Sequence, residues 1–133
     1  MNIPSATIRI KNLRLRTFIG FNEDEKKKKQ DIVINIDIRY SIQNGVYDDK
    51  VQSALNYKTI TKAVINLVEE NRFLLLEKLT ADILQLCSQN PAVQHAVVQV
   101  DKPHALRFAD SVSLSIEYDA NVHYQTLKLE KAS

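Results

Sequence analysis

The chain has 133 residues, 44% of them hydrophobic and 26% charged, which suits one domain with an ordinary core. Eighteen basic and sixteen acidic side chains leave a formal charge of +2, too little for a dedicated nucleic-acid binder. Two glycines are too few for a phosphate-cradling GxGxxG and, at positions 20 and 45, too far apart for GxxxxGKS/T; one cysteine cannot close an intrachain disulfide, and no apolar run approaches the ~20 residues of a membrane span.

The N-terminal stretch "MNIPSATIRIKN" lacks the apolar centre of a signal peptide, so cytoplasmic residence is the expectation. Ile8 and Ile10 alternate with polar residues, and Leu13 and Leu15 do so out of phase, predicting one strand with a bulge near Lys11 and Asn12. Glu23 to Glu25 and Lys26 to Lys29 read as a solvated charged loop. In "IVINIDIRY", Ile32, Ile34, Ile36, Ile38 and Tyr40 share one face of a second strand, with Asn35, Asp37 and Arg39 on the other. Asn44-Gly45 predicts a turn. From Lys58, the residues Ile60, Ala63, Val64, Leu67 and Val68 keep the spacing of an amphipathic helix ending near Asn71. A second helix is expected from about Leu74 to Ser88, stopped by Asn90-Pro91. Two alternating strands follow, through Ala96, Val98 and Val100 and through Val112, Leu114, Ile116 and Tyr118, before a polar tail over 119–133.

The order ββααββ predicts an α+β protomer, two helices covering one face of a four-stranded antiparallel sheet. Its sheet edges are templates for pairing, which closure of several protomers into a ring or barrel would satisfy. On the second helix, Leu76, Leu79, Ile83 and Leu86 form the core stripe. Glu77 falls roughly opposite, among Phe73, Leu74, Ala81 and Leu84. A carboxylate inside an apolar run requires a partner, because an unpaired buried charge is strongly destabilising. One reading is a ligand pocket or subunit contact with Glu77 at its centre, in the first helical turn where backbone N–H groups favour an anion. The other is an ion pair with Lys78 or Lys58 at a wet edge.

The segments "TFIGFNEDE", "ALNYKTI", "FLLLEKLTADI" and "VDKPHALRFADSVSLSI" resemble, in order and spacing, the dihydroneopterin aldolase family over about residues 6–118. Within it, "RIKNLRLRTFIG" and "HALRFADSVS" resemble an epimerase branch. The resemblance implies the tunnelling fold (T-fold), with protomers closed into tetrameric barrels, stacked as a homo-octamer, and active sites between neighbouring subunits. By position it implies that Glu77 grips a pterin bidentately, with Leu76 adding a backbone contact. Leu55 and Asn56 would line the same pocket from an adjacent subunit, and Glu25, Tyr57 and Lys102 would be catalytic. Taken alone, Tyr57 reads as a half-buried packing residue.

The activity implied is retro-aldol cleavage in a dihydropterin side chain, followed by recombination that inverts its second carbon. The substrate's ring imine is the electron sink, so neither a covalent lysine, a metal nor another cofactor is expected. The three histidines and one cysteine show no metal-ligand spacing. A triphosphate on the side chain would tether the departing aldehyde, and Arg14, Arg16, His104 and Arg107 are the candidate cations. The alternatives are an aldolase acting on the unphosphorylated compound, and a non-catalytic oligomer that binds pterin or uses Lys26 to Lys29 for anionic partners.

Overall fold

A computed structural model describes residues 4–42 and 46–122. The expected Asn44-Gly45 turn and the tail from position 123 onward lie outside the described residues. Strand β1 (Ser5–Ile19) pairs antiparallel with β2 (Gln30–Ser41), and its register shifts between Ile10 and Leu13, where the sequence breaks phase. At that bulge Asn12 takes φ +54°, a conformation asparagine tolerates, and its N–H donates to Oδ1 of Asn35 at 2.9 Å.

The short helix α1 (Glu23–Lys27) stands where a charged loop was expected. Its cap is Asn22, whose side-chain oxygen accepts from the Glu25 N–H at 2.8 Å. Helix α2 (Tyr57–Glu70) follows a single 3-10 turn, Val51–Ser53, and is capped by Asn56, which accepts from the Thr59 N–H at 3.1 Å. A two-residue strand, β3 (Arg72–Phe73), runs parallel to the end of β1 and leads into α3 (Leu76–Cys87). Strands β4 (Val93–Lys102) and β5 (Val112–Asp119) complete a mixed sheet of order β3-β1-β2-β4-β5.

The alternation read from β2 holds: Ile32, Ile34, Ile36 and Ile38 are buried with Val98 and Val100 of β4 beneath Val64, Val68, Leu79 and Ile83 of the helices. Sheet and helices thus make two layers around one core. No helix among the described residues is long and apolar enough to cross a membrane.

This topology gathers several strand ends at one end of the protomer. The end of β1, the start of β2 and the end of β4 lie together, since Thr17 pairs with Gln30 and Val33 with Asp101. Thr17 Oγ1 donates to the Val68 carbonyl at 2.7 Å and the Asn71 carbonyl at 3.3 Å, which fixes the C-terminus of α2 at this same end.

Candidate active site

The Glu25–Lys102 pair is the shortest and least exposed ion pair among the described residues. Lys102 Nζ donates to Glu25 Oε2 at 2.8 Å across 77 positions of sequence, with the two side chains only 12% and 23% exposed. This hydrogen bond, with the lysine's charge, holds the Glu25 carboxyl below its ordinary value of 4.5 despite the opposing effect of burial. Gln30 Nε2 lies 3.4 Å from the same carboxylate oxygen and also donates to the Ile19 carbonyl. Gly20 adopts φ +127°, and a Cβ there would overlap the Glu25 carboxyl group. Lack of a side chain at Gly20 is therefore what lets Glu25 fold back toward Lys102.

Gly20 also brings in the second helix. Its N–H donates to the Phe73 carbonyl at 3.0 Å, so the chain leading to Glu77 starts beside the Glu25–Lys102 pair. Glu77 lies in the first turn of α3, whose cap residue Leu75 offers no side-chain acceptor. Within the protomer Glu77 is exposed, as are Leu74 and Ala81, whereas Phe73 and Leu84 belong to the core. The expectation of a buried carboxylate is corrected accordingly: sequence proximity to leucines did not bury it. The ion-pair alternative fails as well, because Lys78 pairs with Asp82 at 2.9 Å and Glu77 has no ion-pair partner among the described residues. Leu76, at the first helical position, is half-buried against the core.

Leu55, Asn56 and Tyr57 stand at the other end. Leu55 is buried in a cleft shared with Tyr40, Ser41 and Asn90, at the end of β2 and the start of β4. Asn56 is exposed and caps α2, and Tyr57 is 51% exposed, too open for the packing role first considered. At ~1.5 Å per residue, the 14 residues of α2 separate Tyr57 from the Glu70 end by roughly 20 Å. One protomer therefore does not bring Tyr57 to Lys102 or Glu77.

Three of the four candidate cations converge. Arg14, Arg16 and His104 line a groove of about 460 Å³ at the Lys102 end of the sheet, with Asp31 and Pro103. Arg107 is not among its lining residues; in the loop between β4 and β5 its guanidinium lies 5.1 Å from the ring centre of Phe108.

Sequence reasoning missed Gly20 and Gln30 as supports of Glu25. The glycine carried a signal, being one of two in the chain; Gln30 carried none, because a glutamine opening a strand is unremarkable in pattern.

Comparison with known proteins adds the family context. Residues 8–117 match the dihydroneopterin aldolase (FolB) family. The chain is 58% identical over 111 residues to a Pseudomonas aeruginosa dihydroneopterin triphosphate 2′-epimerase, covering 84% of this chain and 90% of that one. It is 52% identical over 115 residues to the Escherichia coli protein of the same name, covering 86% and 96%. Among solved structures, Escherichia coli dihydroneopterin aldolase in complex with neopterin superposes with a TM-score of 0.78 at 26% identity, covering 85% of this chain and 98% of that one.

Proposed function

The chain belongs to the dihydroneopterin aldolase family, and from that premise we propose that it converts 7,8-dihydroneopterin triphosphate into 7,8-dihydromonapterin triphosphate by inverting the second side-chain carbon. The observation that carries the chemistry is the sheltered Glu25–Lys102 pair. The hydroxyl on the second side-chain carbon loses its proton, the bond to the first carbon breaks, and the electron pair moves into the adjacent ring imine. Lys102 protonates or hydrogen-bonds the ring nitrogen as that charge arrives, and Glu25 keeps the ammonium in place. An enamine-like pterin and an aldehyde then share the site. Rotation of the aldehyde and attack on its opposite face re-forms the bond with inverted configuration, returning the proton to the hydroxyl.

Glu77 supplies two acceptor oxygens for the adjacent ring N–H and amino donors of the pterin, and Leu76 adds a backbone contact. Its exposure within the protomer and its lack of an ion-pair partner among the described residues support that role. Tyr57, with Leu55 and Asn56, comes from a neighbouring copy and moves protons at the hydroxyl or the enamine. The distance between the two ends of α2 supports a shared site. The assembly is a homo-octamer of two stacked tetrameric barrels acting in the cytoplasm. Arg14, Arg16 and His104 hold the triphosphate; the position of Arg107 outside their groove leaves it the weakest of the four candidates.

Aldehyde escape instead of recombination would make the same site an aldolase. The likeness to named epimerases at 58% and 52% identity favours recombination over that outcome. Incubation with 7,8-dihydroneopterin triphosphate and chiral separation of the pterins that return is the test. The expected product is the monapterin epimer; exclusive release of 6-hydroxymethyl-7,8-dihydropterin would overturn the assignment.

A further inference from the structure

Helix α1 carries Glu25 yet buries none of its five residues, so apolar packing does not hold it to the sheet. A helix this short is not stable alone in water, and its placement depends on polar ties. Asn22 closes its N-terminus, and Lys102 and Gln30 hold the Glu25 side chain. Neither tie fixes the last turn. Arg72, the first residue of β3, does so: its Nη1 donates to the Lys26 carbonyl at 3.3 Å, one residue beyond Glu25. The guanidinium rests over the ring of Phe18, with Cζ 3.8 Å from the ring centre, and Phe18 is the residue that Arg72 pairs with on β1. Lys29 Nζ stands 6.0 Å from the same ring centre, at the limit of such contact, so Arg72 is the cation that uses this platform.

We propose that Arg72 is a positioning residue for the reaction: stacked on Phe18, it seats the end of α1 against β3 so that Glu25 meets Lys102 at hydrogen-bond distance. The inference rests on the role given above to the Glu25–Lys102 pair. Arg72 acts on that pair through the backbone carbonyl next to Glu25. A planar guanidinium suits the task, because one face stacks on the ring while the edge nitrogens remain free to donate; a lysine ammonium is a point donor without a face. The clamp also joins the two arms of the site. Arg72 precedes Phe73, whose carbonyl accepts from the Gly20 N–H, and the same segment runs on into Glu77. A small misplacement of a catalytic group costs rate even when substrate still binds, so loss of the clamp should be felt in the chemical step and not in pterin affinity.

The test is a double-mutant cycle on the full chain, combining Arg72→Ala with Glu25→Ala. One readout is single-turnover epimerisation of 7,8-dihydroneopterin triphosphate; the other is hydrogen exchange over residues 21–29, followed by mass spectrometry. Arg72→Ala should speed that exchange about three- to tenfold, the range for one net hydrogen bond. It should slow the single turnover about threefold while pterin affinity stays within about twofold. In Glu25→Ala, where no carboxylate is left to position, the same substitution should change the turnover by less than about 1.5-fold. Phe18→Leu keeps the apolar contact and removes the aromatic platform, so it should reproduce both effects in weaker form, and it carries the test if Arg72→Ala fails to fold. Exchange or turnover unmoved by Arg72→Ala, or an equal loss of turnover with and without Glu25, would overturn the proposal. Faster exchange in a protein that epimerises nothing before or after substitution would remove the substrate assignment and leave the clamp on α1 standing.

Discussion

Gly20→Ala tests how the Glu25–Lys102 pair is built without replacing either member of it. The backbone at Gly20 sits at φ +127°, a region from which a side chain is excluded at a cost of ~1–3 kcal/mol. The added methyl group would overlap the Glu25 carboxyl, so either that side chain swings away or the chain shifts and strains the Gly20 N–H bond to the Phe73 carbonyl. A charge-assisted hydrogen bond such as Lys102 to Glu25 contributes ~1.5–3 kcal/mol; the low end applies because Glu25 retains partial exposure. Together these predict a loss of about 2.5–4.5 kcal/mol in unfolding free energy. If Glu25 acts only by holding Lys102, the rate should fall about tenfold, the equivalent of ~1.4 kcal/mol. Denaturant unfolding followed by single-turnover epimerisation measures both, with Glu25→Gln as the reference. A Gly20→Ala protein that loses stability yet keeps the full turnover rate would refute the claim that the pair's geometry serves catalysis.

Three further outcomes follow from named contacts. Glu77→Gln should weaken binding of a reduced pterin by roughly 10- to 100-fold, as read by titration calorimetry, since a neutral amide replaces one acceptor oxygen with a donor. Because Glu25 titrates below 4.5 in the folded chain, its stabilising contribution is fully present above its unfolded value and is lost as pH falls through the folded one. The stability difference between the protein and Glu25→Gln should therefore be constant near neutrality and shrink only below about pH 4.5, as read by denaturant titration across pH. Cys87 is buried and its thiol is pushed up to about 12, so iodoacetamide at neutral pH should label it only after denaturation, as mass spectrometry would show.

The regular elements were legible where periodicity was long. Four isoleucines at alternate positions leave β2 no other register, and the phase break after Ile10 locates the bulge because Lys11 and Asn12 there oppose the single residue Asn35. Two elements were not. Strand β3 has only two residues, too few for any period, and its pairing depends on where β1 ends. Helix α1 was hidden by its charge, although Asn22 followed three residues later by Glu25 is a capping arrangement that could have revealed it. The site was less legible than the fold. Glu25 and Lys102 meet across three strands, a contact that no local spacing encodes, and resemblance alone brought them together. The exposure of Glu77 also escaped pattern reading, since a helical wheel ranks neighbours by angle and cannot say that Leu74 and Ala81 are exposed while Leu84 is buried.

The most direct measurement is a crystal structure of the assembled protein soaked with 7,8-dihydroneopterin. The ring's amino and N–H edge should lie on the Glu77 carboxylate, its reactive nitrogen should face Lys102, and the tyrosine at the side chain should be Tyr57 from another copy. A ring bound away from Glu77, or a complete site assembled within one protomer, would contradict the account.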